Sequence, residues 1–134
     1  MSDNPSDVFD PASVSRVAAT AAALELLASL QAEHGELLLH QSGGCCEGSS
    51  PMCYTTREFA VGPNDVCLGD VGGVPFYMGK AQFEYWRHTH ITLDVVDGYG
   101  GAFSLENGTG KCFHVRSRLF TDAELTVIDQ LPLR

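Results

Sequence analysis

Three of the chain's five cysteines fall in one short stretch, His40-Gln41-Ser42-Gly43-Gly44-Cys45-Cys46-Glu47-Gly48-Ser49-Ser50-Pro51-Met52-Cys53-Tyr54. That stretch limits what the chain can be. Gly43, Gly44 and Gly48 allow positive φ and a close approach of backbone to a ligand. The apolar run Leu37-Leu38-Leu39 leads into it as a strand. A thiol-bearing Gly/Ser loop after a strand suits a metal, a cluster or a reactive sulfur. It also suits a tight turn around small buried thiols. Adjacent Cys45 and Cys46 between glycines are an unusual way to fill a core. Neighbouring Cα atoms lie about 3.8 Å apart, below the roughly 4.4–6.8 Å of ordinary disulfides, so a bridge between these two would be strained and easily reduced. No Cys-x-x-Cys pair occurs, so a zinc ribbon has no support.

The length of 134 residues fits one domain with one core. A hydrophobic content of 44% with 19% charged residues describes a globular chain. The net charge is −9, and the closest basic group, Lys111, Arg116 and Arg118, is small. Such a chain repels phosphate backbones, so no nucleic-acid partner is expected. The apolar stretch at 17–30 is interrupted by Thr20, Glu25 and Ser29, so no membrane span is expected. The N-terminus lacks a basic region followed by an apolar one, which makes the cytoplasm the expected location. In that reducing compartment clustered thiols more often bind metal or do chemistry than form a disulfide framework.

Residues 1–12 read as a flexible tail and 13–134 as a single α+β domain. Val14, Val17, Ala18, Ala21, Leu24, Leu27, Ala28 and Leu30 recur at helical spacing and predict a helix over 13–33, ended by Gly35. Strands are predicted at Glu36–Gln41, Thr55–Val61, Val66–Val71, Val74–Met78, Ile91–Val96, Ala102–Leu105 and Lys111–Val115. Gly72-Gly73 predicts a hairpin turn, and residues 79–88 a short helix. Thr121-Asp122-Ala123-Glu124 predicts a capping box and a last helix to about Gln130, stopped by Pro132. The pattern is one N-terminal helix followed by a mostly-β body with short helices.

If 111–115 is a strand, Cys112 and His114 share a face. A thiolate and an imidazole so placed can bind one metal, with Cys45, Cys46 or Cys53 completing the site. Such ligands suit zinc, copper(I) or an iron–sulfur cluster. The bland alternative is a half-buried thiol beside a solvated imidazole. His88, His90 and Asp94 would share another face in a partial resemblance to the cupin motif; a polar strand edge explains them as well. A third arrangement makes Cys45 or Cys46 a nucleophile with His40 or His114 as base. The loop offers only Glu47 nearby, which does not favour a thiolate. Cys67 lies mid-strand and reads as core.

Three runs carry a family resemblance: His40 to Tyr54, Gly72-Gly73-Val74-Pro75-Phe76-Tyr77, and Gln82-Phe83-Glu84-Tyr85-Trp86-Arg87-His88-Thr89. Together they resemble the bacterial domain of unknown function 779 family. Members are often encoded beside aldehyde dehydrogenases, and the resemblance implies a part in aldehyde or alcohol oxidation with an aldehyde dehydrogenase as partner. A remoter resemblance is to the A-type iron–sulfur carriers of the HesB-like fold. Ser42-Gly43-Gly44-Cys45 stands at their first motif, Gly100-Gly101-Ala102-Phe103-Ser104-Leu105-Glu106-Asn107 at their late strand, and Cys112-Phe113-His114 at their final Cys-x-Cys. It implies a HesB-like domain and a ligand set of Cys45, Cys112 and His114, with Cys46 and Cys53 as alternates. The departures are His114 for the last cysteine, Phe113 for the glycine, and the two extra thiols. The expectation is a metal- or iron–sulfur-binding accessory protein holding zinc, iron or a cluster. The alternatives are a thiol enzyme or redox protein acting on aldehydes through Cys45 or Cys46, or a non-catalytic regulatory subunit with structural cysteines. The oligomeric state stays open, a homodimer included.

Overall fold

The computed structural model describes residues 14–41, 51–98, 105 and 109–130. The predicted tail at 1–12, the loop thiols Cys45 and Cys46, the strand residues 102–104 and Pro132 lie outside the described residues. The elements in chain order are β1 (Val17–Ala19), α1 (Ala21–His34), β2 (Leu37–Gln41), β3 (Met52–Thr55), β4 (Asp65–Val71), β5 (Val74–Gly79), α2 (Lys80–Trp86), β6 (Thr89–Asp97), β7 (Lys111–Leu119) and α3 (Asp122–Ile128). The class is α+β. One sheet has the order β1-β6-β7 and the other β3-β2-β5-β4. The β1–β6 and β2–β5 pairs are parallel and the remaining pairs antiparallel.

The predicted N-terminal helix is corrected at its start. Val17–Ala19 is a strand, paired with Ile91–Leu93 of β6, and the helix begins only at Ala21. Thr20 makes the switch. Its N–H donates to the Leu93 carbonyl (2.9 Å), which closes the strand. Its hydroxyl oxygen accepts from the Ala23 N–H (3.2 Å), which caps the helix. The buried stripe of α1 is Ala23, Leu27 and Leu30, spaced four and three apart, while Leu24 is exposed. Gly35 ends the helix at φ 90°.

The strand predicted at 55–61 is also corrected: it runs Met52–Thr55 and stops. Thr55 is the reason. Its hydroxyl accepts the Glu58 N–H (3.2 Å) and donates to the Glu58 carboxylate (3.0 Å), so the chain turns. The strand predicted to end at Val115 continues to Leu119. The short helix is 80–86 and the last helix 122–128, with the predicted capping box between Thr121 and Glu124 in place.

Both sheets share one buried cluster. Leu37, Leu39, Val74, Phe76 and Met78 come from one sheet; Val17, Ile91, Leu93, Phe113 and Val115 come from the other. The sheets approach each other at Gly69, where β4 carries a bulge between Cys67 and Gly69. Gly69 has φ 144°, and a Cβ there would sit 3.3 Å from Val17 Cγ1. Gly69→Ala is therefore expected to lower stability by about 2 kcal/mol, the strained backbone and the forced separation from β1 acting together. Urea unfolding measures it; a loss within experimental error would show that β1 and β4 do not need this close approach.

Candidate functional site

Strand β7 is sorted by its alternation. Phe113 and Val115 enter the shared core, and Cys112 and His114 take the opposite face, as predicted. Cys112 is buried (6% exposed), opposite Val96, and His114 is half-buried, opposite Asp94. Asp94 is fully engaged. Its carboxylate accepts from Arg116 Nε (2.9 Å), the Thr20 hydroxyl (2.9 Å) and the Val95 N–H (2.8 Å). The Arg116 bond, with those backbone and hydroxyl bonds behind it, holds the Asp94 carboxyl below the usual carboxylate range.

Cys53 lies elsewhere. It sits on β3 opposite Leu39, with its side chain fully buried in the core cluster, while its carbonyl accepts the Leu105 N–H (2.9 Å). That bond ties the segment leading into β7 to the strand that follows the cysteine-rich loop. Among the described residues no group of three or more His, Cys, Asp and Glu side chains gathers to hold a metal. Cys112 and His114 supply two donors of suitable type, a thiol and an imidazole. Cys45 and Cys46 lie outside the described residues.

The cupin-like trio does not assemble. His88 is exposed ahead of β6. His90 stands edge-on to Phe120 at 6.0 Å, and burial, followed by nearby Arg118, lowers its pKa. Asp94 is committed to Arg116. The basic residues of β7 are paired with acids: Lys111 with Asp97 (2.9 Å), Arg116 with Asp94 (2.9 Å) and Arg118 with Glu124 (2.8 Å).

A second cluster, not foreseen as a unit, lies on the outer face of the four-stranded sheet. Register aligns Met52, His40, Tyr77 and Cys67 in one row across it. His40 Nε2 lies 2.8 Å from Asp65 Oδ1, the two side chains being 7% and 16% exposed. The His40 hydrogen bond comes first, and the Gly62 N–H to Oδ2 (2.8 Å) second, in pulling the Asp65 pKa below its ordinary value. An ionised carboxylate only accepts, so His40 Nε2 is the donor. Phe59 packs against the His40 ring and stacks on Tyr54, with centroids 4.9 Å away in each case. Asp65 borders two open cavities. One, of about 590 Å³, includes Asn64, Lys80 and Glu84; the other, of about 460 Å³, includes Pro63, Cys67, Pro75 and Tyr77. No local motif could reveal the His40–Asp65 pair, because its members are 25 residues apart and β5 lies between their strands.

Among the described residues no helix is long and apolar enough to cross a membrane. No curated protein matches the chain. The family model described as Domain of unknown function (DUF779) matches residues 26–119, from within α1 to the end of β7. That span carries all five cysteines and the His40–Asp65 pair, and the chain belongs to this family.

Proposed function

We propose that this protein is a cytoplasmic accessory protein that binds a metal ion or an iron–sulfur cluster and serves an aldehyde- or alcohol-oxidising system. The observation that supports this reading is the shared face of Cys112 and His114 on β7, turned away from Phe113 and Val115. A thiolate and an imidazole on one strand face fit zinc, copper(I) or iron, and a bound metal would supply Lewis-acid or redox chemistry there. Cys45 and Cys46 would complete the ligand set, in keeping with the likeness to A-type carriers of the HesB-like fold. The link to aldehyde dehydrogenase rests on the family's gene neighbourhood.

Cobalt(II) tests the ligand set. Added without air, it should give thiolate-to-metal absorption that weakens as pH falls, because each ligand must lose a proton to bind. Cys112→Ser should remove most of that absorption, and His114→Ala should weaken binding by about 10-fold or more. A Cys112→Ser spectrum equal to wild type would eliminate Cys112 as a ligand.

A second reading is supported by the His40–Asp65 pair. A carboxylate-oriented imidazole immediately before the Gly/Cys loop is the arrangement that activates a thiol. In that case the protein is a thiol-based redox protein or enzyme with Cys45 or Cys46 as nucleophile. One thiol should then alkylate much faster than the others in metal-free protein, and His40→Asn should slow it. Uniformly slow alkylation would dismiss this second reading.

A further inference from the structure

The second cavity beside Asp65 has a simple chemistry. Its volume of about 460 Å³ falls in the range of small-molecule sites. Among the described residues its walls are Val61, Gly62, Pro63, Pro75, Cys67 and Tyr77, with Asp65 as the one charged side chain. The Asp65 carboxylate is partly exposed and anchored from behind by His40 and by the Gly62 N–H. Each oxygen therefore already accepts one fixed donor and has a further lone pair for another. The carboxylate cannot swing away from the cavity without giving up both bonds. Two prolines and a valine favour an alkyl chain, and an aromatic ring such as that of Tyr77 tolerates a positive charge. The chain's net charge of −9 raises the local concentration of cations.

We propose that this cavity binds a small organic ammonium ion: a primary amine on a short alkyl body, its ammonium group against Asp65 and its chain against Tyr77, Pro63 and Pro75. The fit follows from one anchored anion beside the apolar side chains of Val61, Pro63 and Pro75. A carboxylate ligand would be repelled by Asp65. A neutral alcohol would keep the apolar contact and lose the charge-assisted hydrogen bond. The other cavity is lined by both Lys80 and Glu84, so it has no such preference for a cation. The proposal does not depend on the metal-binding reading and is tested without metal.

The probe is n-butylammonium, titrated into isotope-labelled full-length protein at fixed ionic strength and followed by amide NMR shifts, with n-butanol and butyrate as controls. Saturable shifts at Gly62, Asp65, Cys67 and Tyr77 are expected with butylammonium. Binding of n-butanol should be about tenfold weaker and butyrate should give no saturable shift. Asp65→Asn and Tyr77→Leu should each weaken butylammonium binding several-fold, and Glu84→Gln should leave it unchanged. Tyr77→Leu keeps the Asp65 anchoring bonds, so its result holds even where Asp65→Asn perturbs the turn. Equal binding of butanol, no saturation with butylammonium, or unchanged binding in both variants would overturn the proposal.

Discussion

Phe113→Ala is expected to lower the unfolding free energy by about 3–5 kcal/mol. Phe113 has no exposed surface and stands between Cys112 and His114 on β7, opposite Val95. It belongs to the buried cluster that both sheets share, with Val115 two residues on. Removing the ring takes away its transfer free energy and leaves a void that two sheets cannot both close. Domains of this size have only about 5–15 kcal/mol in hand, so the variant should lose a large part of its stability. Urea unfolding should show a lower midpoint with an unchanged slope. A loss below about 1 kcal/mol would mean that Phe113 faces solvent and that the alternation of β7 is reversed, with Cys112 and His114 inside.

Asp65→Asn is expected to cost about 1.5–3 kcal/mol at neutral pH, the range for a hydrogen bond to a charged partner at a largely buried imidazole. The effect should depend on pH with a defined sign. The folded-state pKa of Asp65 is lowered, first by the His40 hydrogen bond. Its contribution is thus fully present above the unfolded value of about 3.9 and is lost as pH falls through the lower folded value. The stability gap between wild type and Asp65→Asn should therefore narrow as pH falls below about 4. Unfolding curves at several pH values measure the gap. A gap that does not narrow below about pH 4 would show that Asp65 is not held ionised by His40.

Signals confined to a few neighbouring residues were legible in the chain. The Gly72-Gly73 turn forms with φ of 57° and 79°, and the Thr121–Glu124 capping box closes as its spacing requires. The two-residue period of β7 sets Cys112 and His114 on one face. Where competing partners lie far along the chain, local reading fails. Val17-Ala18-Ala19 runs straight into an alanine-rich helix and carries the same apolar spacing; only its pairing with Ile91–Leu93 makes it a strand. Thr55 looks like one more strand residue until its hydroxyl engages Glu58. Cys67 was legible as a buried residue but not as part of a row with Tyr77 and His40, since that row depends on the order β2-β5-β4. The ligand set drawn from Cys45, Cys46, Cys53, Cys112 and His114 mixes residues of different standing. Cys112 and His114 share a face, Cys53 enters the shared core from the other sheet, and Cys45 and Cys46 lie outside the described residues.

The most direct measurement is elemental analysis with a visible spectrum on protein purified without air. About one equivalent of zinc or copper, or iron with matching sulfide and a coloured solution, is expected, and it should be lost in Cys112→Ser. Metal-free protein that also takes up none of zinc, copper or iron with sulfide would contradict it.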